Sequence, residues 1–462
     1  MITIIALTKS EGEDQKDTVT KLSQQCKKKG IPFYGVRLGD AFVIDTDISD
    51  DEVIIHNYDG KENKITLKPS NTACFVRGGA LTDIAGKGLT RTLEESGMFM
   101  INRFVPMELC ANKFTTAITL KKAGISTPRT ALVTNMASID IAIKEIGGKF
   151  PVIAKTITGA EGIGVMKLET RESLNSVLQG LWKHDAEIIL QEYLDSDYDI
   201  RTHVLDGEIF ASVKRIASKG DDFRTNVSLG NDTETYQLND EERKLVLRAA
   251  EASGCYWCGV DHMVVNGKIY VLEANGSPGT GAIMYTSYYN DKKSNVNGMK
   301  MVGNIIDHIM DKANWEYPKT SVGVIEWVKV EGIKYKAKLD TGNSVGGITI
   351  HAEDIKLLKN DKVSFTLKGK RFTKKIEDRK EVKVDDGIKS DTRYYVKLTM
   401  ALGGKIAKPV LFNLDNRSDM LYDVLIDRGY MADNNLVVDP VKKFTLGESR
   451  KYINTFRERL WA

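Results

Sequence analysis

Asp261 and the run Val271-Leu272-Glu273-Ala274-Asn275 stand on either side of an Asn266-Gly267 pair. Asn-Gly between two alternating segments is a strong local signal for a β-hairpin, because both central residues of the tight turn need positive φ. Alternation along the second segment sends Glu273 and Asn275 to one face, and the hairpin brings Asp261 opposite them. Two carboxylates and an amide oxygen gathered in this way suit Mg²⁺, a hard cation with octahedral geometry. It takes its remaining ligands from water or phosphate oxygens. A hairpin with a charged solvent face would carry the same residues, so the rest of the chain has to decide between the two readings.

At 462 residues the chain exceeds one hydrophobic core, and several domains are expected. Charge is unevenly placed: 38 basic against 43 acidic residues through position 321, and 28 against 20 after it, so the two parts should meet different partners. The first part alternates strand-like and helix-like segments. Helical stretches are expected at 14–29, 88–96, 112–123, 240–253 and 302–311, with β-rich pieces at 32–36, 151–156, 164–168, 188–193, 201–205 and 208–213. From 322 to 444 the texture is Lys/Thr/Val-rich with short alternating runs and turn glycines, which reads as all-β, followed by a terminal helix at 448–461. No apolar run reaches the length of a membrane span, and the opening strand has no basic leader or cleavage site, so a cytoplasmic location is expected.

Five cysteines, an odd and low number, argue for reduced thiols. Cys255 and Cys258 form a C-x-x-C pair, but Cys26, Cys74 and Cys110 do not supply the second pair a zinc site needs. The two are therefore read as core thiols, with a redox role as the alternative.

Several segments between 110 and 280 bear on the hairpin. The run Pro151-Val-Ile-Ala-Lys155 ends on a lysine, and Gly159, Gly162 and Gly164 follow. Glycines let backbone N–H groups approach phosphates, and a strand-end lysine can neutralise them. The loop lacks the Gly-Lys-Ser/Thr of a P-loop. The strand Ile189-Leu-Gln191-Glu192-Tyr193 has a polar exit whose backbone could read an adenine edge, and Asp199 could bond a ribose hydroxyl. Lys214-Arg215 and Asp222-Phe-Arg224-Thr225-Asn226 add cations and an amide before Asp261. His262 should point to the opposite strand face and serve structure.

This ordered set resembles the ATP-grasp superfamily and, within it, the RimK-type α-L-glutamate ligases. The resemblance spans roughly residues 70 to 310 and includes Cys110-Ala-Asn-Lys113, Pro128-Arg-Thr130, Lys155, the glycine loop, Gln191 to Tyr193, Asp199-Ile-Arg201, Asp222 to Asn226, Asp261 and Glu273 to Gly279. It implies an α/β (α+β) ATP-grasp fold with an N-terminal α/β domain at 1–108, an ATP-grasp domain at 109–312 and a linker at 313–321. It implies ATP contacts from Lys113, Lys155, Gly162, Gly164, Gln191, Glu192, Tyr193, Asp199, Arg224, Thr225 and Asn226. Asp261, Glu273 and Asn275 would hold Mg²⁺ or Mn²⁺. Ala274, Gly276 and Thr225 depart from the commoner family residues without removing a ligand. The expected activity is an ADP-forming acid–amino acid ligase. A carboxylate would be phosphorylated by ATP, and the amine of an amino acid, glutamate by the resemblance, would displace phosphate, extending a peptide or protein carboxyl terminus. Lys155 and Arg215 would offset charge developing in that reaction, while Arg77, Arg201 and Ser277 are candidate substrate contacts. A homodimer or homotetramer is expected, with no membrane partner and no nucleic acid.

In the second part, Asp340-Thr341-Gly342 lies at a strand-to-turn transition, the loop type in which two aspartates share a proton and activate water. Residues 322–462 resemble the retropepsin-like domain labelled an ATP-dependent zinc protease, which implies an all-β domain and a homodimeric site at Asp340. Asn343 and Asp427 stand where small residues are usual, and His351 has no second histidine near it. The alternative to ligation is therefore a hydrolase acting through Asp340 and regulated by the ATP-grasp part. A binding or assembly role for this domain is the other reading. The basic run 368–380 is read as a solvated face or as a surface for an acidic partner.

Overall fold

The opening strand Thr3–Thr8 carries Ile4, Ile5, Ala6 and Leu7, all fully buried. An apolar run of this kind suits a strand covered on both faces of a parallel sheet. It is central in the four-stranded order Phe33–Arg37, Thr3–Thr8, Thr72–Val76, Phe99–Ile101, with every neighbouring pair parallel. The helix Glu13–Lys29 follows the first strand. A small antiparallel sheet, Ala41–Phe42, Val53–Tyr58 and Glu62–Leu67, is inserted before the third. The computed structural model describes residues 1–8, 13–48, 51–58, 62–81, 84–159, 164–217, 232–281, 283–315, 320–342, 347–384, 389–402 and 408–446. The expected terminal helix at 448–461 lies outside the described residues.

The chain divides into two units, Met1–Glu316 and Tyr317–Ala462. Within the first, two antiparallel sheets follow the parallel one. One has the order Val165–Leu168, Val152–Thr156, Ile188–Glu192, Thr130–Val133. Helices Ile139–Glu145 and Arg171–Trp182 bury Ile139, Ile143, Leu174 and Leu178 in the core they share with it. The other runs Lys268–Asn275, Trp257–Val265, Tyr198–Leu205, Glu208–Ile216, Met284–Ser287, Ser294–Asn297, with Asp232–Thr235 also paired to Glu208–Ile216. Helices Lys113–Lys122 and Asp240–Ser253 share a core with this sheet through Leu120, Val246, Val260 and Val271.

Local chemistry explains most of the boundaries. Asn112 caps the helix Lys113–Lys122 by accepting from Phe114 N and Thr115 N. Asn239 and Glu242 form a reciprocal capping box on Asp240–Ser253, which ends on left-handed Gly254. The helix expected at 302–311 instead runs Gly298–Ile309 under an Asn297 cap. Gly298 reads as a breaker in sequence, yet a Cβ there would fall 2.1 Å from Thr280 O, so close packing selects glycine in the first turn. Similarly, the helix expected at 88–96 spans Ile84–Glu95.

In the second unit, an eight-stranded sheet is ordered Asp378–Val384, Lys389–Leu402, Lys408–Asp415, Ile348–His351, Val424–Ile426, Ile333–Leu339, Thr320–Val330, Leu436–Lys443. A further pairing of Val328–Val330 with Met400–Leu402 closes six of these strands into a ring, with Asp378–Val384 and Leu436–Lys443 paired outside it. Inside lie Val328, Tyr335, Ile350, Leu398, Phe412 and Ile426. One short helix, Arg428–Asp433, interrupts the expected all-β pattern. Asp427 caps it by accepting from Gly429 N and Tyr430 N, which accounts for a carboxylate at a position expected to hold glycine. The basic run 368–380 covers an edge strand, Lys370–Lys375, and the start of Asp378–Val384. Lys374, Arg379 and Lys380 there pair with Glu331, Asp361 and Asp378, so part of this charge is matched locally on an edge that lysines also protect from pairing.

Fully buried Asn102 joins the parallel sheet to the hairpin. Its amide donates to Trp257 O at 2.7 Å and Gly276 O at 2.6 Å, and its oxygen accepts from Trp257 N at 2.7 Å. Asn102→Ala leaves three buried backbone groups unpaired and should cost about 3 kcal/mol of stability. Urea unfolding followed by tryptophan fluorescence measures it. A loss below about 0.5 kcal/mol would mean that these groups find other partners.

Candidate functional site

The Asn266-Gly267 turn has φ of 50° and 75°, the two positive values the sequence predicts. In the resulting hairpin Asp261 pairs directly with Glu273 and Gly259 with Asn275, with a register shift just after Asp261. The two carboxylates are therefore neighbours on adjacent strands. His262 is fully buried and meets Glu242 at 3.3 Å, in the structural role expected.

A buried ionic network is built on Asp261. Arg201, from the adjoining strand, holds it in a fork, Nε to Oδ1 at 2.7 Å and Nη2 to Oδ2 at 2.6 Å. Arg215 Nη2 reaches the same Oδ2 at 2.7 Å and also forks onto Asp199 with two bonds of 2.6 Å. Asp199, whose sequence reading was a ribose contact, thus has Arg215 as its partner here. Burial pushes the Asp261 carboxyl up, but the guanidinium groups of Arg201 and Arg215 outweigh it and hold the group well below the usual carboxylate range. Glu273 is different. Among the described residues its nearest cation is Arg201 at 3.6 Å, and burial together with the charge on Asp261 pushes it above the usual range.

Across from this network, a cleft is lined by Cys110, Lys113, Thr116, Lys155, Ile189, Gln191, Leu272 and Glu273. Both antiparallel sheets and the segment 110–116 contribute walls. Burial lowers both Lys113 and Lys155 from the ordinary lysine value, with Glu273 partly offsetting the effect. Lys155 Nζ donates to Gln191 Oε1 at 2.8 Å and Lys113 Nζ to Gly159 O at 2.9 Å. Two lysines whose charge is disfavoured by burial suit an arriving polyanion. Gly164 has φ of 76°, and a Cβ there would lie 2.5 Å from Thr156 Oγ1, so this end of the glycine loop has no room for a side chain.

The other sequence candidates are placed as follows. Glu192 gives both carboxylate oxygens to Arg129, at 2.8 Å to the backbone N and 2.7 and 2.9 Å to the guanidinium, leaving its backbone carbonyl at the strand exit. Tyr193 donates to Asp195 at 3.2 Å and carries Lys167 over its ring at 4.7 Å. Asn275 Oδ1 accepts from Ser277 N at 2.8 Å, and Ser277 Oγ accepts from Gly78 N at 2.8 Å. Arg77, fully buried over the Trp257 ring, donates to Pro278 O at 2.7 Å. Burial lowers its pKa to about 9. Arg77 and Ser277 are thus joined to each other's loops. Gly162, Arg224, Thr225 and Asn226 lie outside the described residues. Arg129, Asn102 and Cys110 were not singled out as site residues. Arg129 and Cys110 sit in motif segments that could have flagged them, whereas Asn102 has no local signal.

For Mg²⁺ the candidate donors are Asp261, Glu273 and Asn275, of which Asp261 also accepts from Arg201 and Arg215 and Asn275 from Ser277 N. Among the described residues no cluster of three or more His, Cys, Asp or Glu side chains has metal-holding geometry. Two carboxylates and an amide fit a cation that completes its shell with phosphate and water. The upward shift of Glu273 fits as well, because a nearby dication would restore its charge.

In the second unit, Asp340 follows the strand Ile333–Leu339. Its N donates to Ile426 O at 2.9 Å, its Oδ1 accepts from Gly342 N at 3.2 Å, and Lys338 Nζ lies 3.6 Å from Oδ2. His351 accepts from Arg417 N at 2.8 Å and meets Glu353 at 3.5 Å, so both ring nitrogens have protein partners.

Residues 110–295 match the RimK-like ATP-grasp domain family, and residues 321–449 match the family described as retropepsin-like aspartic endopeptidase RimB. A protein of Pseudoalteromonas atlantica named "Probable alpha-L-glutamate ligase 2" is 34% identical over 217 residues, 46% of this chain and 71% of that one. A "Probable alpha-L-glutamate ligase" of Teredinibacter turnerae is 31% identical over 265 residues, 57% and 82% of the two chains. Among solved structures, a Chryseobacterium gregarium RiPP-associated ATP-grasp ligase, in complex with ADP and a leader and core peptide, aligns at 14% identity. It covers 69% of this chain and 100% of that one, with a TM-score of 0.49. No helix among the described residues is long and apolar enough to cross a membrane.

The upward shift of Glu273 sets a pH dependence. Above the ordinary carboxylate range the folded chain keeps a proton that the unfolded chain has lost, so metal-free stability falls as pH rises through the folded-state value. Glu273→Gln should therefore raise the metal-free melting temperature at neutral pH and flatten that dependence. It should also remove most of the stabilisation that Mg·ADP gives the unaltered chain. Calorimetric melting with and without Mg·ADP tests both. An unchanged Mg·ADP increment in the variant would exclude Glu273 as a ligand.

Proposed function

The chain belongs to the alpha-L-glutamate ligase family of ATP-grasp enzymes and is an ATP-dependent ligase, and from that premise we propose that it adds glutamate to the carboxyl terminus of a peptide or protein through an acylphosphate. The observation that carries this reading is the cleft in which Lys113 and Lys155 face Glu273 and the Asp261 network. A carboxylate cannot lose oxide to an amine. Once the γ-phosphoryl of ATP is on the carboxylate oxygen, the amine adds to the carbonyl carbon and phosphate leaves.

In this reading Lys113 and Lys155 hold the nucleotide phosphates, each gaining in charge what burial takes away. The backbone at Glu192 and Tyr193 reads the adenine edge, with Arg129 fixing the Glu192 side chain beside it. Gly159, through its carbonyl on Lys113, and Gly164 flank the glycine segment on the phosphate side of the cleft. Gln191 keeps Lys155 aimed into the cleft and is itself held by Thr130 at 2.9 Å. Asp261, Glu273 and Asn275 would hold Mg²⁺, which when bound neutralises phosphate oxygens and aligns them for in-line transfer. Arg201 and Arg215 supply fixed positive charge to the acceptor carboxylate and to the tetrahedral intermediate, with Asp199 orienting Arg215. Arg224, Thr225 and Asn226 complete the nucleotide contacts. Arg77 and Ser277 position the loop that follows Asn275.

A second reading is favoured by the Asp340 turn and by the match of residues 321–449: peptide hydrolysis by a homodimer in which two copies of Asp340 share a proton. The two readings separate cleanly. With ATP, Mg²⁺, a panel of amino acids and carboxyl-terminal peptides, ligation predicts phosphate release that depends on the amino acid and a peptide mass increased by whole glutamyl residues. Lys155→Ala should lower turnover at least ~10²-fold. Peptide cleavage that survives Glu273→Ala but vanishes in Asp340→Asn would favour the hydrolase. No amino-acid-dependent phosphate release across the panel would end the ligase proposal.

A further inference from the structure

The C-x-x-C spacing of Cys255 and Cys258 points to those two thiols as a pair, and the two do share a hydrogen bond, but the fold gives Cys255 a second partner. Cys110 Sγ, 145 residues away in sequence, lies 3.6 Å from Cys255 Sγ. All five cysteines are unbonded. Cys26, Cys74, Cys255 and Cys258 are buried, whereas Cys110 is half-buried and lines the cleft with Lys113, Lys155 and Glu273. We propose that Cys110 is a redox-modification site of the nucleotide cleft, where a hydroperoxide oxidises it and Cys255 then closes a reversible disulfide.

The geometry requires little movement. A disulfide needs its sulfurs about 2.05 Å apart, so the two must approach by roughly 1.5 Å. Access sets the order of events. The half-buried Cys110 meets the oxidant first. The buried Cys255 shares a hydrogen bond with Cys110, and that contact together with burial keeps its proton on. The Cys110 sulfur attacks the peroxide oxygen and the alcohol or water leaves, giving a sulfenic acid. The Cys255 sulfur then attacks the Cys110 sulfur, the S–S bond forms, and water leaves with the Cys255 proton. Two thiols and one hydroperoxide become one disulfide, one alcohol and one water.

The position of the bond ties it to nucleotide binding, so the proposal rests on the cleft being the nucleotide site. Cys110 closes the helix Phe104–Ala111. Next come Asn112, which caps Lys113–Lys122, and Lys113, whose Nζ reaches Gly159 O. Cys255 lies two residues before the strand that carries Asp261. A covalent link between them pulls the segment bearing a phosphate lysine toward the segment bearing a metal carboxylate, and it changes the cleft wall at Cys110.

The test uses the full chain treated with hydrogen peroxide without nucleotide, followed by thiol counting under denaturing conditions and non-reducing peptide mapping. The expected result is loss of two thiols, a Cys110–Cys255 linked peptide, and full reversal by dithiothreitol. Mg·ATP at ten times its Kd should slow the reaction about tenfold by occupying the cleft, and the oxidised chain should bind ATP correspondingly more weakly in calorimetry. In Cys255→Ser, Cys110 should stop at the sulfenic acid, trapped by dimedone. A Cys255–Cys258 link, or peroxide leaving all five thiols intact, would overturn the proposal. A Cys110–Cys255 link that ATP neither slows nor senses would overturn its connection to the cleft. Because the link is mapped without nucleotide, its failure is distinct from a failure of the ligase reading, which is read from phosphate release.

Discussion

Asp261 held between Arg201 and Arg215 is the interaction on which the rest of the site depends. Removing these charges from water is costly, and the cost is met because each guanidinium forks onto a carboxylate at 2.6–2.7 Å. Two cations balance two anions, Asp199 and Asp261. Glu273 is left over, and burial together with the charge on Asp261 shifts it upward. On the facing wall Lys113 and Lys155 are the opposite case, cations that burial pushes toward neutrality. Without ligands, the acid side and the base side each hold groups whose charge is disfavoured. A dication relieves one side and a polyphosphate the other. The site is thus matched to a metal–nucleotide pair more closely than to either component alone.

How much of this was legible in sequence depended on range. The hairpin was readable because Asn266-Gly267 fixes the turn and a period of two fixes the faces, all within about fifteen residues. Lys155 was readable as a strand end, and 240–253 as a helix; its capping box and left-handed Gly254 stop are what the structure adds. Arg129 against Glu192, Asn102 against Trp257 and Cys110 against Cys255 were not, because partners 63 to 155 residues apart leave no local periodicity. Asp199 is the instructive case. Its residue type and place suggested a ribose contact, but the antiparallel register that sets Asp199 opposite Arg215 gives it a nearer partner. Register across strands is decided by the whole sheet.

The second unit shows the same division. Alternation and turn glycines were sufficient to read a β domain, while closure of the ring between Val328–Val330 and Met400–Leu402 required the fold. Asp427 looked like a disturbance at a glycine position. It is a helix cap, and the following Gly429 leaves room for the carboxylate, since a Cβ there would lie 2.9 Å from Asp427 Oδ2. His351, once considered with zinc, is held by Arg417 N and Glu353.

The hairpin that opens the sequence reading also limits what the metal site can be. Asp261, Glu273 and Asn275 come from two adjacent strands of one sheet, so their oxygens approach a cation from one side only. A cage that bound Mg²⁺ outright would need ligands from a second element, and the element across the cleft offers Lys113 and Lys155 instead. Cations cannot ligate a metal, but they can hold the phosphates that do. Mg²⁺ keeps water and phosphate readily in an octahedral shell, so a metal held by the proposed hairpin donors would complete its shell with nucleotide phosphates and water. In the proposed reading metal and nucleotide binding would be coupled for that reason, and the coupling would follow from which residues stand on which wall.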